Sequence, residues 1–378
     1  MPQTAVEMGQ ELTPRRRRIV RHAIRWLQLV AINFAIFALL AEVASIAVVH
    51  LNKWPSSRPT YRLAPNEFWA DVNPAFGIWH RANGHFFHQG GCFSVEYRTN
   101  SYGARDIERT IHSAQPRTIV LGDSFVEGFG LPDHDRLTNI LEARTGREHL
   151  NFGTGGGFSP LQYALVYRTL ASRFDHTQVL VGILPDNDFH EMDRDWLARM
   201  YSGQYRPYYT NNLSIAYMGH FDPRSRDGLA DRTEAAMRAY LASYHVGQYL
   251  YASRFYWRTR NAYSGYNDYT PTELAKLQAA LSLLKRTAAA HHAQLTVFLI
   301  PRANDFARLH QAGTNRVGPA LEQWGGQAGI PIKDLLPEMD NRANGNYRSY
   351  FLECDGHWSA RGSEVAADIL EHWMYGKG

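Results

Sequence analysis

Four short polar segments of this chain contain residue types that serve acyl-transfer chemistry. The first is Gly122-Asp123-Ser124-Phe125, in which a serine directly follows a short apolar run. A serine at a turn between a strand and a helix is exposed at the sheet edge, and the N-terminus of the following helix favours developing negative charge. We therefore interpret Ser124 as a candidate nucleophile and Asp123 as a structural hydrogen-bonding residue.

The other three segments each provide a further part of such a site. The glycine-rich turn from Asn151 to Gly156 can aim a backbone N–H without side-chain obstruction. Asn187, in a P-D-N-D segment, provides an amide donor. Asp355 and His357, in a D-G-H-W segment, provide a general base and its orienting carboxylate.

Regular elements must bring these segments together, and the apolar pattern predicts them from about residue 117 onward. The predicted strands are Thr118–Leu121, Leu150–Phe152, Val179–Leu184, Leu295–Ile300 and Ile330–Ile332, and the predicted helices are Leu137–Ala143, Leu161–Leu170, Thr272–His291, Val317–Gln327 and Arg361–Met374. This alternation predicts an α/β fold, a three-layer α/β/α domain with a parallel sheet. Right-handed crossovers would bring the carboxyl ends of its strands, and so the four segments, to one edge.

In order and spacing, the four segments resemble the SGNH/GDSL hydrolase superfamily over about residues 117 to 375. The stretch from Asn100 to Asp106, N-S-Y-G-A-R-D, is similar to a lead-in of membrane-anchored bacterial members. The resemblance implies that Ser124 is the nucleophile, His357 the general base and Asp355 its partner.

The resemblance also implies an oxyanion hole and a cofactor-free mechanism. Its donors would be the N–H groups of Ser124 and Gly156 and the side chain of Asn187. Neither a metal ion nor an organic cofactor is expected. In two places the chain departs from the family pattern: Pro185 precedes the Asn187 segment where a glycine is usual, and the late pair is D-x-H instead of D-x-x-H. The D-x-H-W form resembles polysaccharide O-acetyltransferases.

The N-terminus predicts a membrane anchor. Residues 1–25 contain six arginines and two glutamates, which accounts for the net charge of +4, so the charge is no argument for a nucleic-acid partner and none is expected. Residues 26–49 are apolar enough for a transmembrane signal-anchor helix, with a cleaved signal peptide, a surface helix and a buried soluble helix as alternatives. The arginines place the remainder on the periplasmic or extracytoplasmic side of a bacterial inner membrane.

Residue Glu42, inside the predicted span, packs against a partner helix or lies near the headgroups. Residues 50–112 are expected to form a connector with short strands, and 113–378 the hydrolase-like domain, with a tyrosine-rich insertion at about 189–270. Those tyrosines suit sugar rings or acyl chains, or simply pack the insertion onto the core.

The cysteines and histidines of the connector leave alternatives open. Cys92 and Cys354 either form a disulfide or remain unpaired. His80, His85 and His88 are expected to be loop residues and not metal ligands, because no carboxylate is near them in the sequence.

Together these observations predict a membrane-anchored serine esterase or O-acyl (acetyl) transferase. Its substrate would be an acylated glycan of the envelope or another ester, and a membrane protein partner is compatible with the span. The competing hypothesis is a non-catalytic glycan-binding or assembly subunit that uses the same fold as a scaffold.

Overall fold

The computed structural model describes residues 14–51, 58–61, 68–201, 204–221, 228–256 and 263–376. The first described element is α1, a helix of 37 residues from Pro14 to His50. Its segment Arg18–His50 is the one stretch of the described residues that is long and apolar enough to cross a membrane. The predicted span 26–49 lies within α1, which extends towards the N-terminus because arginine is a good helix former.

Eleven strands follow α1 in the described residues. In chain order they are β1 Trp69–Asn73, β2 Gly77–His80, β3 His85–Gln89, β4 Ser94–Arg98, β5 Arg117–Gly122, β6 Glu148–Gly153, β7 Gln178–Ile183, β8 Arg206–Tyr209, β9 Ile215–Met218, β10 Gln294–Leu299 and β11 Ile332–Asp334. Five of them form a parallel sheet in the order β11-β10-β7-β5-β6, and the other six form three antiparallel hairpins. The predicted parallel sheet is confirmed, with strand ends shifted by one or two residues.

The helices cover this sheet on both faces. After α1 they are α2 Ser124–Glu127, α3 Leu137–Thr145, α4 Pro160–Thr169, α5 Pro185–Asp188, α6 Arg194–Met200, α7 Leu229–Tyr240, α8 Ala242–Tyr256, α9 Pro271–Ala290, α10 Ala303–Ala312, α11 Val317–Ala328, α12 Leu336–Ala343 and α13 Ala360–Tyr375. The chain moves from β5 to β6 in one direction, and from β6 through β7 and β10 to β11 in the other. With right-handed crossovers, α3 therefore lies on one face and α4 and α9 on the other. In agreement, α3 packs on α13 and α4 packs on α9.

The strand order places a topological switch point between β5 and β7. These neighbouring strands are paired from Thr118 and Gln178 to Leu121 and Val181, and their outgoing connections run to opposite faces of the sheet. Ligand sites of open parallel sheets form where the connections diverge in this way. The carboxyl ends of β5 and β7 are therefore the place to look for a site.

The segment predicted as a connector packs into the body of the domain. Its hairpins β1–β2 and β3–β4 contribute Phe76, Trp79 and Tyr97, which are buried. The Trp79 ring packs on Phe152, at the carboxyl end of β6, with ring centroids 6.3 Å apart. Burying aromatic side chains of this size stabilises the docking of the connector on the sheet by a few kcal/mol each.

The described parts of the tyrosine-rich insertion contain regular structure that the sequence pattern did not predict. They form α6, the hairpin β8–β9, and the helices α7 and α8. Several of its tyrosines have structural partners: Tyr205 and Tyr217 donate to the backbone oxygens of Pro74 and Ala75, and Tyr209 is buried. For these tyrosines the packing alternative is the one that the structure supports.

Candidate active site

The turn between β5 and α2 presents Ser124 at the edge of the sheet. The Asp123 side chain accepts a hydrogen bond from the Phe125 N–H and caps α2. Position 122 must be glycine, since a Cβ there would lie 2.3 Å from a methyl group of Val126. The turn is therefore tightly packed beneath a half-buried Ser124, as a nucleophile elbow requires. Asp123 has the structural role that the sequence predicted.

A chain of hydrogen bonds joins Ser124 to the loop before α13. Ser124 Oγ lies 2.7 Å from His357 Nε2, and His357 Nδ1 lies 2.5 Å from Asp355 Oδ1. The His357 backbone N–H also donates to Asp355 Oδ1, at 3.0 Å. Burial alone would raise the pKa of Asp355, but the charge of His357 and these hydrogen bonds hold that pKa well below its usual range. Asp355 is therefore an ionised acceptor that fixes the Nδ1–H tautomer and leaves Nε2 facing Ser124.

Aromatic rings hold the His357 imidazole in place. The Phe129 ring is stacked on it, with centroids 4.0 Å apart and an interplanar angle of 18°. The Phe125 ring contacts it at 4.8 Å, and the buried Trp358 packs edge-on against Phe125. These contacts restrict the imidazole to the orientation in which both of its hydrogen bonds form.

A disulfide joins this loop to the connector. Cys92 and Cys354 are bonded, with their Cα atoms 5.5 Å apart and a sequence separation of 262. Each backbone N–H also contacts the sulfur of the opposite cysteine, at 2.9 and 3.2 Å. Because Cys354 immediately precedes Asp355, the cross-link restrains the loop that carries both the base and its partner.

The proposed oxyanion donors come from the two strands that flank β5. Gly156 follows β6, and Asn187 lies in α5 after β7. Within the described residues, the N–H groups of Ser124 and Gly156 donate no hydrogen bond to the protein, so both are available for a substrate oxygen. One N–H of Asn187 Nδ2 donates to Glu191 Oε1 at 3.2 Å, which leaves the second N–H of the amide for a substrate oxygen.

Three buried carboxyl groups, those of Asp123, Asp188 and Glu191, lie next to the proposed oxyanion donors. Burial raises the pKa of Asp123 to about 6 and that of Glu191 to about 7, and it raises the pKa of Asp188 as well. Asp188 accepts from the Tyr163 hydroxyl and the Leu184 N–H, both at 2.8 Å. Glu191 therefore keeps its proton to near-neutral pH, where exposed carboxylates have lost theirs.

The lead-in motif acts as a brace for the nucleophile turn. The Arg105 guanidinium is fully buried and donates to the backbone oxygens of Glu127, Gly128 and Leu131, at 3.0, 2.7 and 2.7 Å. Asn100 holds the turn before it by accepting from backbone N–H groups through its side-chain oxygen. The motif therefore fixes the segment directly after Ser124.

Two arginines of the site were missed in the sequence. Arg302 follows β10, forms an ion pair with Asp186 and lies against Gly356, where a Cβ would be 2.6 Å from its guanidinium. Arg206 of β8 donates to the backbone oxygen of Gly156 at 2.6 Å. The position of Arg302 at the carboxyl end of a predicted strand was a usable signal. No sequence signal pointed to Arg206, because the insertion that contains it lacks the alternation of apolar strands and helices.

Two of the three connector histidines, His80 and His85, have carboxylate partners that the sequence did not predict. His80 is buried, with its Nε2 2.6 Å from Glu127 Oε1, and His85 Nε2 lies 2.5 Å from Glu96 Oε1. The expectation that no carboxylate is near them was wrong, since Glu127 approaches His80 from the nucleophile turn and Glu96 approaches His85 from β4, the neighbouring strand of its hairpin. In the described residues no group of three or more His, Cys, Asp or Glu side chains is arranged to hold a metal ion.

Neither a protein-family model nor a curated protein matches this chain. Solved structures that align with it include a member of the lipolytic protein G-D-S-L family from Veillonella parvula (13% identity, 69% of this chain, 99% of that chain, TM-score 0.35). A lipase/acylhydrolase from Enterococcus faecalis aligns with 10% identity over 69% of this chain and 96% of that chain, with a TM-score of 0.38. A GDSL-like lipase from Bacteroides thetaiotaomicron aligns with 10% identity over 69% of this chain and 91% of that chain, with a TM-score of 0.35. Because the TM-scores are low, the function proposed below depends on the chain's own residues.

Proposed function

We propose that this chain is a membrane-anchored serine ester hydrolase or O-acyl transferase that acts on O-acylated glycans outside the membrane. The observation that carries the proposal is the hydrogen-bonded series Ser124, His357 and Asp355 at the carboxyl edge of a parallel sheet. A serine hydroxyl, a correctly oriented imidazole and a carboxylate on the far nitrogen form a nucleophile with its base and orienting acid.

The proposed reaction proceeds through an acyl-enzyme. His357 Nε2 takes the hydroxyl proton of Ser124 while the serine oxygen adds to the ester carbonyl carbon. The resulting oxyanion is stabilised by the N–H groups of Ser124 and Gly156 and by the Asn187 amide. The C–O bond to the alcohol then breaks, and the alcohol leaves with the proton from His357. Water or a sugar hydroxyl attacks the acyl-enzyme in the second half, with the same histidine as base.

The glycan and the anchor are further parts of the proposal. Support for an extracytoplasmic site comes from helix α1, whose apolar part follows the arginines at its N-terminal end, and from the disulfide, because such bonds persist in oxidising compartments. Support for a glycan comes from the D-x-H-W form of the pair at Asp355 and His357. The insertion also contributes to the site, through the contact of Arg206 with the Gly156 loop.

The first experiment is p-nitrophenyl acetate turnover by the full chain in nanodiscs, wild type against Ser124→Ala. We expect the variant to fall to background, because removing the nucleophile leaves no acyl-enzyme route. Ser172→Ala is the matched control, since Ser172 lies before β7 at the opposite end of the sheet. Covalent labelling by a fluorophosphonate should likewise disappear in Ser124→Ala and His357→Ala.

Adding an oligosaccharide separates the two forms of the reaction. Acetylated sugar in the products indicates a transferase, and free acetate alone indicates a hydrolase. Equal background rates in wild type and Ser124→Ala, with no fluorophosphonate labelling, would refute the enzyme proposal. Retention of glycan by such an inactive protein would instead indicate a binding or assembly subunit.

A further inference from the structure

One helix of the insertion begins directly on the predicted membrane helix. Helix α8 packs along α1, and the N–H groups of Ala242 and Ser243 donate to the two carboxylate oxygens of Glu42, at 2.7 and 3.0 Å. The first N–H groups of a helix have no partner within it, and a carboxylate placed there also interacts favourably with the helix dipole. Glu42 therefore binds the beginning of α8 to a defined level of α1.

That level lies near the outer end of the apolar segment. A hydrocarbon core of about 30 Å that starts at Trp26 would end near Ile46, since an α-helix rises about 1.5 Å per residue. Glu42 is then within about one helical turn of the boundary between hydrocarbon and headgroups. On the same side of α1, Ser45 and Val49 are buried. The start of α8 is therefore at the outer interface of the bilayer.

The composition and exposure of α8 suit that position. From Ala242 to Tyr251 it contains no Asp, Glu, Lys or Arg. Tyr240, the last residue of α7, and Leu241, which joins the two helices, expose 48% and 37% of their surface, and Leu250 and Tyr251 of α8 expose 52% and 66%. Tyrosines with aliphatic neighbours concentrate at membrane interfaces, where the ring is apolar and the hydroxyl remains hydrated.

The preceding helix, α7, makes the contrast plain. It contains Asp231, Arg232, Glu234 and Arg238 within twelve residues. Glu234 accepts hydrogen bonds from Arg238 and from Tyr244 of α8. Up to Tyr251, the charged side chains of these two helices therefore lie on α7 and not on α8.

We propose that α8 lies in the outer interfacial layer of the membrane, where Glu42 fixes its depth and phospholipid covers its exposed Leu250 and Tyr251. This inference rests on the membrane anchoring proposed above and is independent of the catalytic mechanism. The domain is then attached to the bilayer at two places, α1 and α8. Two attachments restrict its rotation, so that the active site has a fixed orientation relative to the membrane.

The test uses a fluorescent label on single added cysteines of the full chain in phospholipid nanodiscs. Labelling without reductant leaves Cys92 and Cys354 bonded. The reporter is Leu250→Cys in α8, the positive control is Phe37→Cys in α1, and the aqueous control is Gln311→Cys on the exposed surface of α10. Each label is quenched separately by doxyl-labelled lipid and by iodide in the buffer.

We expect lipid quenching at Leu250→Cys and Phe37→Cys, and iodide quenching at Gln311→Cys. Iodide quenching at Leu250→Cys with lipid quenching at Phe37→Cys would overturn the inference while the anchor stands. A Leu250→Cys label protected from both quenchers would also overturn it, because protein would then cover the surface. Iodide quenching at Phe37→Cys would refute the membrane anchoring itself.

Glu42 is tested in the same system. Glu42→Ala removes both acceptors and should reduce lipid quenching at Leu250→Cys, whereas Glu42→Gln keeps one carbonyl acceptor and should reduce it less. Asn33→Ala is the matched control, since Asn33 donates only within α1, to the Leu29 oxygen. Equal lipid quenching in Glu42→Ala and in Asn33→Ala would refute the role of Glu42.

Discussion

The two sides of the candidate site differ in how far they are assembled without a substrate. On the base side, Ser124, His357 and Asp355 already form their hydrogen bonds, and aromatic rings and a disulfide hold the loop. On the donor side, two backbone N–H groups are available, but the Asn187 amide donates to Glu191. The comparison indicates a base side that is closed by its own hydrogen bonds and a donor side that is still open, since one N–H of the Asn187 amide is held by Glu191 and the second is left for the substrate oxygen.

The largest expected effect tests the base side. Asp355→Asn preserves the shape of the side chain but removes the anionic acceptor, so the imidazole tautomer that leaves Nε2 free is no longer favoured. By analogy with serine proteases, kcat should fall on the order of 10⁴-fold. Glu353→Gln, an exposed neighbour in the same loop, is the control. Similar kcat values for the two variants in an ester hydrolysis assay would show that Asp355 is not the orienting acid.

Asn187→Ala tests the donor side and should have the next largest effect. Loss of one oxyanion donor lowers kcat about 10²- to 10³-fold, with a small change in KM, since the contact forms fully only in the transition state. Asn315→Ala is the structural control, because Asn315 bonds to Asp334 away from the site. An unchanged kcat in Asn187→Ala would mean that the amide only bonds to Glu191 and takes no part in the reaction.

Arg302 links the two sides and should have an intermediate effect. Arg302→Lys keeps the charge but lacks the planar guanidinium that pairs with Asp186 and lies against Gly356. Displacement of either loop by a fraction of an ångström should lower kcat/KM by about 10-fold or more. The control is Arg308→Lys, whose ion pair with Asp268 is partly exposed. Equal kcat/KM in both variants would contradict the linking role.

The smallest expected effect is a pH-dependent change in the free energy of unfolding, and it concerns Glu191. Burial raises the pKa of Glu191 to about 7, so the folded state keeps its proton from about pH 4.5 to 7, where the unfolded state has lost it. This contribution to stability is complete below the unfolded pKa and is lost as the pH rises through 7.

Glu191→Gln cannot titrate and should therefore lose less stability than the wild type between pH 5 and pH 8. The difference is expected to be on the order of 1–3 kcal/mol. Unfolding midpoints of both proteins at the two pH values provide the measurement, with Glu353→Gln as an exposed control. If the stability of the wild type fell no more than that of Glu191→Gln between the two pH values, Glu191 would not be a buried carboxyl group that keeps its proton.

How much could be predicted differs between elements of the fold. β5, β7 and β10 were correct to within one or two residues, because buried parallel strands are continuous apolar runs bounded by turns. Helices α10 and α12 were missed, since both are short and mostly polar and present a single narrow apolar face. The insertion was predicted by composition alone, so its hairpin and its helices went unrecognised.

The sequence by itself determined the order of the strands' polar ends and hence which residues meet: Ser124, Gly156, Asn187 and His357 each follow a strand or precede the last helix. Local pattern is sufficient for this because parallel strands share one carboxyl edge. Only the tertiary structure decided the contacts that depend on distant segments, such as Glu42 with α8, Arg302 with Asp186, and Asn187 with Glu191. Such contacts form when packing buries charged or amide groups that must then find a partner, and the nearest partner is a property of the fold.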